Sequence, residues 1–429
     1  MAAGGIALNP LRRRPGAPGA AEGRPDLNAA PVPRPRIGIW YHPALAQGGG
    51  IGRYTRGLVG ALLALPEAAA ADIVLVVGRD APQPEAGSLP GLASGAAGPS
   101  RRDGAPGPIG SVRLHRLPLS DRALTILWQR LRAPLPVDRW LGGLDLFHSP
   151  DYTLPPLARA RGLVTVHDLS YLTWPKGALP SLRRFLMRAV PRSCAAASRV
   201  LADSESTKLD LQRLLGLSPG RIDVVGAGVD ASFRRPAPEA LAAARTRLGL
   251  PDHFILGLGT LEPRKNFDGL IRAFERLAPQ RPRLQLVIAG GRGWLEEPIL
   301  EAAARSPLAD RIHLAGFVAD ADLPALYSLA EAFAFPSHYE GFGIPVLEAM
   351  ACGTPVVCAD NSSLPEVAGD AALLVPATDE AALSAALARL LDDQALRERL
   401  AVAGPARAAG FSWAAAAERL WAAYGAALG

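Results

Sequence analysis

The sequence predicts an α/β protein built of two doubly wound units in tandem, with a cleft between the C-terminal ends of their strands. Three observations carry this expectation. Short runs rich in Val, Ile and Leu alternate with longer stretches of helical periodicity, the pattern of parallel strands covered by helices on both faces. The alternation lapses in a proline-rich region near 232–238 and then starts again. Finally, 429 residues, 49% of them hydrophobic, are too many for one small core and too apolar for a disordered chain, at roughly 100–200 residues per domain.

In chain order, residues 1–35 form a Pro/Gly/Ala/Arg-rich tail with few large apolar side chains, which cannot offset its ordering entropy and is expected to be disordered. The N-terminal unit, 36–230, takes strands at 36–41, 72–78, 112–117, 145–149, 162–168, 198–204 and 222–226, with helices at 51–65, 120–132, 179–196 and 205–215. Its stretch 81–110 is rich in Pro, Gly, Ser and Ala without periodicity and reads as an inserted flexible loop. The C-terminal unit, 231–410, takes strands at 254–260, 284–290, 311–315, 332–336, 355–359 and 372–376. Residues 411–429 carry a last helix, about 412–428, with Ser412 as its N-cap.

With 46 Lys and Arg against 40 Asp and Glu, the formal net charge is +6. Residues 1–36 hold six arginines against Glu22 and Asp26, so they carry +4 and the other 393 residues about +2. The basic excess therefore sits mostly off the folded units, which argues against a nucleic-acid partner. Cys194, Cys352 and Cys358 are odd in number and have no CxxC spacing; the expectation is small buried thiols in a reducing cytosol, with no disulfide framework and no zinc site. The tail lacks the apolar core of a signal peptide, and no run approaches the ~18–20 apolar residues of a spanning helix. A cytoplasmic protein is expected, soluble or peripheral at the inner face of the membrane.

Four motifs stand at strand ends. Gly48, Gly49, Gly50 and Gly52 in GGGIGRY follow the first strand and precede a helix, where a backbone without Cβ atoms admits an anion or simply makes a turn. In LGTLEPRKN, Arg264 and Lys265 follow the strand 254–260; only three lysines accompany 43 arginines, and an arginine fork beside an ammonium suits a diphosphate, though a solvated loop pair reads the same way. In EGFGIPVLEAMACGTPVV, Glu340 leaves a strand end and Glu348 follows in a helix, two carboxylates able to accept from sugar hydroxyls or to act as a glycosidase acid/base pair. The backbone N–H groups of Phe342, Gly343 and Ile344 open that helix and suit an anion or a hydroxyl oxygen. In TVHDLSYLTWP, His167 and Asp168 end a strand at the cleft, the histidine able to bind a hydroxyl or stabilise charge and Asp168 able to orient it.

One helix reads differently. Segment 179–196 interleaves Arg183, Arg184, Arg188 and Arg192 with Leu182, Phe185, Leu186 and Val190, the composition of a helix resting on an anionic membrane or of an ordinary surface helix.

Across about 36–428 the sequence resembles the retaining family 4 glycosyltransferases, also called group 1. The elements stand in family order: GGIGRY (49–54), VTVHDLSYL (164–172), VLADSEST (200–207), VVGAGVD (224–230), GTLEPRKN (259–266), the E-x7-E pair Glu340–Glu348, and SSLPEVAGDAALLVP (362–376). The resemblance implies the GT-B fold, an acceptor bound mostly by the N-terminal Rossmann-like domain, and a nucleotide-sugar bound mostly by the C-terminal one. It also implies a C-terminal helix that crosses back to the N-terminal domain.

Carried over residue by residue, the resemblance implies that Arg264 and Lys265 hold the donor diphosphate, Glu340 the hydroxyls of the transferred sugar and Glu348 the ribose. Gly49, Gly50 and Gly52 would approach the distal phosphate, and His167 the donor sugar near the reacting carbon. It implies no cofactor and no bound metal, and no DxD stands beside a nucleotide site; ADADLP (319–324) reads as a helix start in a surface loop. The partners implied are a nucleotide-sugar donor and a saccharide or lipid-linked acceptor. A hexose donor, GDP-mannose before glucose, N-acetylglucosamine or rhamnose donors, fits the HDLSYL and GGIGRYTRGL context. A phosphorylase of the same fold would need a pyridoxal phosphate lysine, for which Lys176, Lys208 and Lys265 offer no context, and a catalytically silent sugar-nucleotide-binding protein is the reading from another class.

Overall fold

In the computed structural model the described residues are 34–84 and 111–429. The expectations for the tail 1–35 and for most of the loop 81–110 lie outside them. Strands β1 (Arg36–Trp40), β2 (Asp72–Val77), β3 (Val112–Arg116), β4 (Leu146–Ser149), β5 (Arg161–Val166), β6 (Arg199–Ala202) and β7 (Ile222–Val224) form one sheet in the order β3-β2-β1-β4-β5-β6-β7. Every pair is parallel. Strands β8 (Phe254–Leu258), β9 (Gln285–Ala289), β10 (Ile312–Gly316), β11 (Ala332–Phe335), β12 (Val356–Ala359) and β13 (Ala372–Val375) form a second parallel sheet, ordered β10-β9-β8-β11-β12-β13.

Burial explains the composition of the strands. In β2 (DIVLVV) five successive residues are buried and in β8 (FILGL) all five, because helices cover both faces and no alternation is called for. At the sheet edges the rule relaxes. Strand β3 (VRLHR) alternates, with Arg113 and His115 exposed, and β10 buries only Ile312.

Each strand order reverses direction once, between β1 and β4 in the first sheet and between β8 and β11 in the second. Loops leaving the C-terminal ends of strands on either side of such a reversal diverge and leave a crevice, which is where open α/β sheets place their ligands. The first crevice is bounded by residues 41–53 and 150–155, the second by 259–266 and 336–343. All four motifs noted above belong to the strand ends around these crevices.

The helix Trp413–Leu428 begins at Ser412, whose hydroxyl accepts from Ala415 N at 3.1 Å, and packs on the helix Gly50–Ala64 of the N-terminal unit. Leu420 is wholly buried there, a contribution of about 1.5–3 kcal/mol for a side chain of its size. Its polar anchors are Tyr424, hydrogen-bonded to His148 Nδ1 at 2.9 Å, and Arg419, which donates to the Val225 carbonyl at 2.8 Å. His148 Nε2 in turn meets Thr165 Oγ1 at 2.9 Å, so β4, β5 and the last helix share one buried network.

Candidate active site

The two crevices face each other and merge into one cleft of about 1000 Å³. On its C-terminal wall, Arg264 and Lys265 lie in a short turn after β8, and Asn266 closes that turn with a left-handed backbone (φ 56°). The Asn266 amide holds the conformation by donating to the carbonyls of Pro336 and Ala377 at 3.0 and 2.7 Å. Lys265 Nζ donates to Glu340 Oε1 at 2.7 Å and lies 4.8 Å above the Phe335 ring. Arg264 donates to Glu340 Oε2 and the Tyr339 carbonyl, both at 2.8 Å, and to Glu262 at 2.5 Å. Burial alone would raise the Glu340 carboxyl, but the two cations outweigh it and hold it down at about 2.

The Glu340 loop reaches the opposite wall because Gly341 has no side chain: a Cβ there would overlap the His167 carbonyl oxygen. Thr207 Oγ1 binds the carbonyls of both residues, His167 at 3.2 Å and Gly341 at 3.3 Å. Gly343 then caps the helix Ile344–Ala351 at φ 108°, a conformation open mainly to glycine, and turns Phe342, Gly343 and Ile344 to the cleft.

On the N-terminal wall, His167 is held through both ring nitrogens. Nε2 donates to the Pro150 carbonyl at 2.9 Å and Nδ1 meets Asp203 Oδ2 at 2.8 Å. Burial would lower its pKa, yet Asp203, helped by Asp151, raises it to about 9, so the ring is an imidazolium at neutral pH. Tyr54 and Tyr152 pack edge-on against it, with ring centroids at 4.9 and 5.4 Å.

Ten of the twelve residues expected from the sequence line the cleft: Gly49, Gly50, His167, Asp168, Arg264, Lys265, Glu340, Phe342, Gly343 and Ile344. Gly52 does not, being packed against the carbonyls of Pro43 and Gln47 within its own turn. Nor does Glu348, which is 1% exposed; its oxygens accept from Arg53 at 2.5 Å and from the Tyr327 hydroxyl at 2.9 Å. Burial raises its pKa, against the pull of Arg53.

Two expectations are corrected. Asp203 and not Asp168 orients His167; Asp168 caps its own turn, accepting from Ser170 N at 2.8 Å. With both nitrogens engaged inside the wall, His167 has no ring nitrogen free to bind a hydroxyl. Residues 319–324 are the helix start expected, exposed over 319–321 and leading into the helix Leu323–Leu329, and Asp320 there pairs with Arg53 at 2.8 Å across the cleft mouth. The helix Pro180–Ala196 also turns Leu182, Phe185 and Leu186 into the cleft, while Arg184, Met187, Arg188 and Arg192 are exposed. Among the described residues no helix is long and apolar enough to cross a membrane. The residues that sequence reasoning did not single out are Arg53, Asp121, Asp151, Asp203 and Glu262.

Two Rossmann-like domains with one cleft at both switch points are the architecture of the GT-B fold. Comparison with known proteins makes this specific. The family described as glycosyltransferase family 4 matches residues 48–233, and that described as glycosyl transferases group 1 matches residues 242–407. The O-antigen chain mannosyltransferase B of Escherichia coli is 36% identical over 271 residues, covering 62% of this chain and 71% of that protein. A D-inositol 3-phosphate glycosyltransferase of Salinispora arenicola is 34% identical over 336 residues, covering 72% and 73%. Anabaena HepE, solved in complex with UDP-glucose, superposes with a TM-score of 0.66 at 18% identity, covering 91% of this chain and all of that one. The chain belongs to the group 1, family 4 glycosyltransferases.

Proposed function

We propose that the enzyme transfers a hexose, mannose in the first place, from a nucleoside-diphospho-sugar to a saccharide or lipid-linked acceptor, with retention at the anomeric carbon and without a bound metal, in polysaccharide or glycolipid synthesis. The observation that carries this reading is the placement of Arg264 and Lys265 at the second switch point, held by Glu340 and facing His167 across the cleft. Four charges there nearly cancel, Arg264 and Lys265 against Glu262 and Glu340. Glu340 occupies one of the ammonium's three N–H donors and leaves the others for a phosphate.

In the reaction so proposed, the bond between the anomeric carbon and the diphosphate oxygen breaks with its electron pair going to the diphosphate. Arg264 and Lys265 stabilise that growing charge. The acceptor hydroxyl attacks from the face the diphosphate leaves, and its proton passes to the departing phosphate oxygen. Mannose is favoured over glucose, N-acetylglucosamine and rhamnose by the likeness to the mannosyltransferase relative.

The test is an incubation of the enzyme with GDP-mannose, UDP-glucose, UDP-N-acetylglucosamine and a dTDP-rhamnose donor against a panel of saccharides, with the product's anomeric configuration read by NMR. Mannosyl transfer from GDP-mannose with retention is expected. Nucleotide binding without product from any donor would instead identify a silent sugar-nucleotide-binding protein.

A further inference from the structure

The acceptor side of the cleft has a charge pattern of its own. Its ionisable lining residues are Arg53, Asp121, Asp151, His167, Asp168 and Asp203. Neither cation is free. Arg53 is bound by Glu348 and Asp320, and His167 by Asp203 and the Pro150 carbonyl. Asp203 is in turn spent on His167, so Asp121, Asp151 and Asp168 face a ligand with no uncommitted positive group among the described residues of that wall. A phosphate entering there would meet like charge in a partly desolvated site.

The rest of the wall points to the ligand that suits such a surface. Beside the carboxylates lie two partly exposed aromatic rings, Tyr152 and, from the helix Pro180–Ala196, Phe185. Carboxylate acceptors next to aromatic faces match a sugar ring, whose hydroxyls donate and whose C–H faces are apolar.

We infer that the part of the acceptor entering the cleft is an uncharged saccharide, its hydroxyls donating to Asp121 and Asp151 and its apolar ring faces resting on Tyr152 and Phe185, and that an acceptor phosphorylated at that point is rejected. This rests on the glycosyltransferase reading and goes beyond it. It also separates the two kinds of relative, one named for an O-antigen chain and the other for D-inositol 3-phosphate.

The test uses the full chain with GDP-mannose and UDP-glucose and matched acceptors: methyl mannoside, mannobiose and myo-inositol against mannose 6-phosphate and inositol 3-phosphate. A neutral saccharide should exceed every phosphorylated acceptor in kcat/KM by about tenfold or more, and Asp151→Asn should raise its KM by about tenfold while changing kcat less. Asp121→Arg should narrow the preference against phosphate. Transfer to inositol 3-phosphate at least as good as to the neutral acceptors would overturn the inference, as would transfer to none of the neutral saccharides while a phosphorylated one reacts. Failure of either donor to be consumed in any arm would count against the proposed function instead.

Discussion

Arg53 donates to Glu348 at 2.5 Å across the cleft, so the arginine that follows the glycine loop of one domain is ion-paired with the second glutamate of the other. Glu348 is the residue that the family resemblance assigns to the donor ribose. With Tyr327 on its other oxygen, it can take that role only if Arg53 yields or shares the carboxylate. If Glu348 takes that role, the pair would couple the contact between the domains to occupation of the donor site.

If the pair holds the domains together, Arg53 and Glu348 are energetically coupled. A double-mutant cycle of Arg53→Met and Glu348→Gln, followed by urea unfolding, should give a coupling of about 1–3 kcal/mol, less than a fully buried pair because Arg53 is partly exposed. Additive effects within about 0.5 kcal/mol would show the contact to be incidental.

At Gly341 the two walls touch. Gly341→Ala places a methyl group where the His167 carbonyl lies, and either the Glu340 loop or the β5 end must retreat. Overpacking of this kind costs about 1–3 kcal/mol, and a displacement near 1 Å at a site of chemistry costs on the order of 10²-fold in rate. Activity should fall far more than thermal stability, measured by kcat/KM beside a melting curve. Wild-type kinetics in a folded variant would separate the contact from catalysis.

The sheets and their order of elements were legible because parallel strands buried on both faces leave runs such as DIVLVV and FILGL that few other structures demand. Residues at strand ends were legible for the same reason: a parallel sheet gathers them at one rim. The partners within the rim were not. Asp203 follows β6 and His167 follows β5, two adjacent strands in which Val166 faces Ala202, so their meeting could have been found from register alone. It was missed because Asp168, next in sequence, offered a nearer carboxylate. Arg53 escaped notice for another reason. The glycines around it account for the loop by themselves, and a cross-domain ion pair leaves no periodicity to read.

His167 makes the stability of the protein depend on pH. Its pKa is about 9 in the fold against about 6.5 in an unfolded chain, so the folded state binds the extra proton between these values. The stabilisation is complete below pH 6.5 and is lost as pH rises through 9. Urea unfolding from pH 6 to 10 should show a decline that His167→Gln flattens. A stability that rises over that range in the wild type, or a decline that survives the substitution, would contradict the imidazolium.

Tyr424 ties the last helix to His148, whose ring burial keeps it neutral, with a pKa near about 3. Tyr424→Phe leaves a ring nitrogen unsatisfied in the core and should cost about 1–3 kcal/mol in denaturant unfolding. A loss below about 0.5 kcal/mol would mean that water replaces the hydroxyl at no cost.

The most direct measurement concerns Lys265, the ammonium that Glu340 holds against the cleft. Turnover of GDP-mannose at saturating donor, compared between wild type and Lys265→Ala with folding checked by melting temperature, should fall by about 10²–10³ if the lysine stabilises a departing diphosphate. Unchanged turnover in a folded Lys265→Ala variant would contradict the assignment of this site to glycosyl transfer.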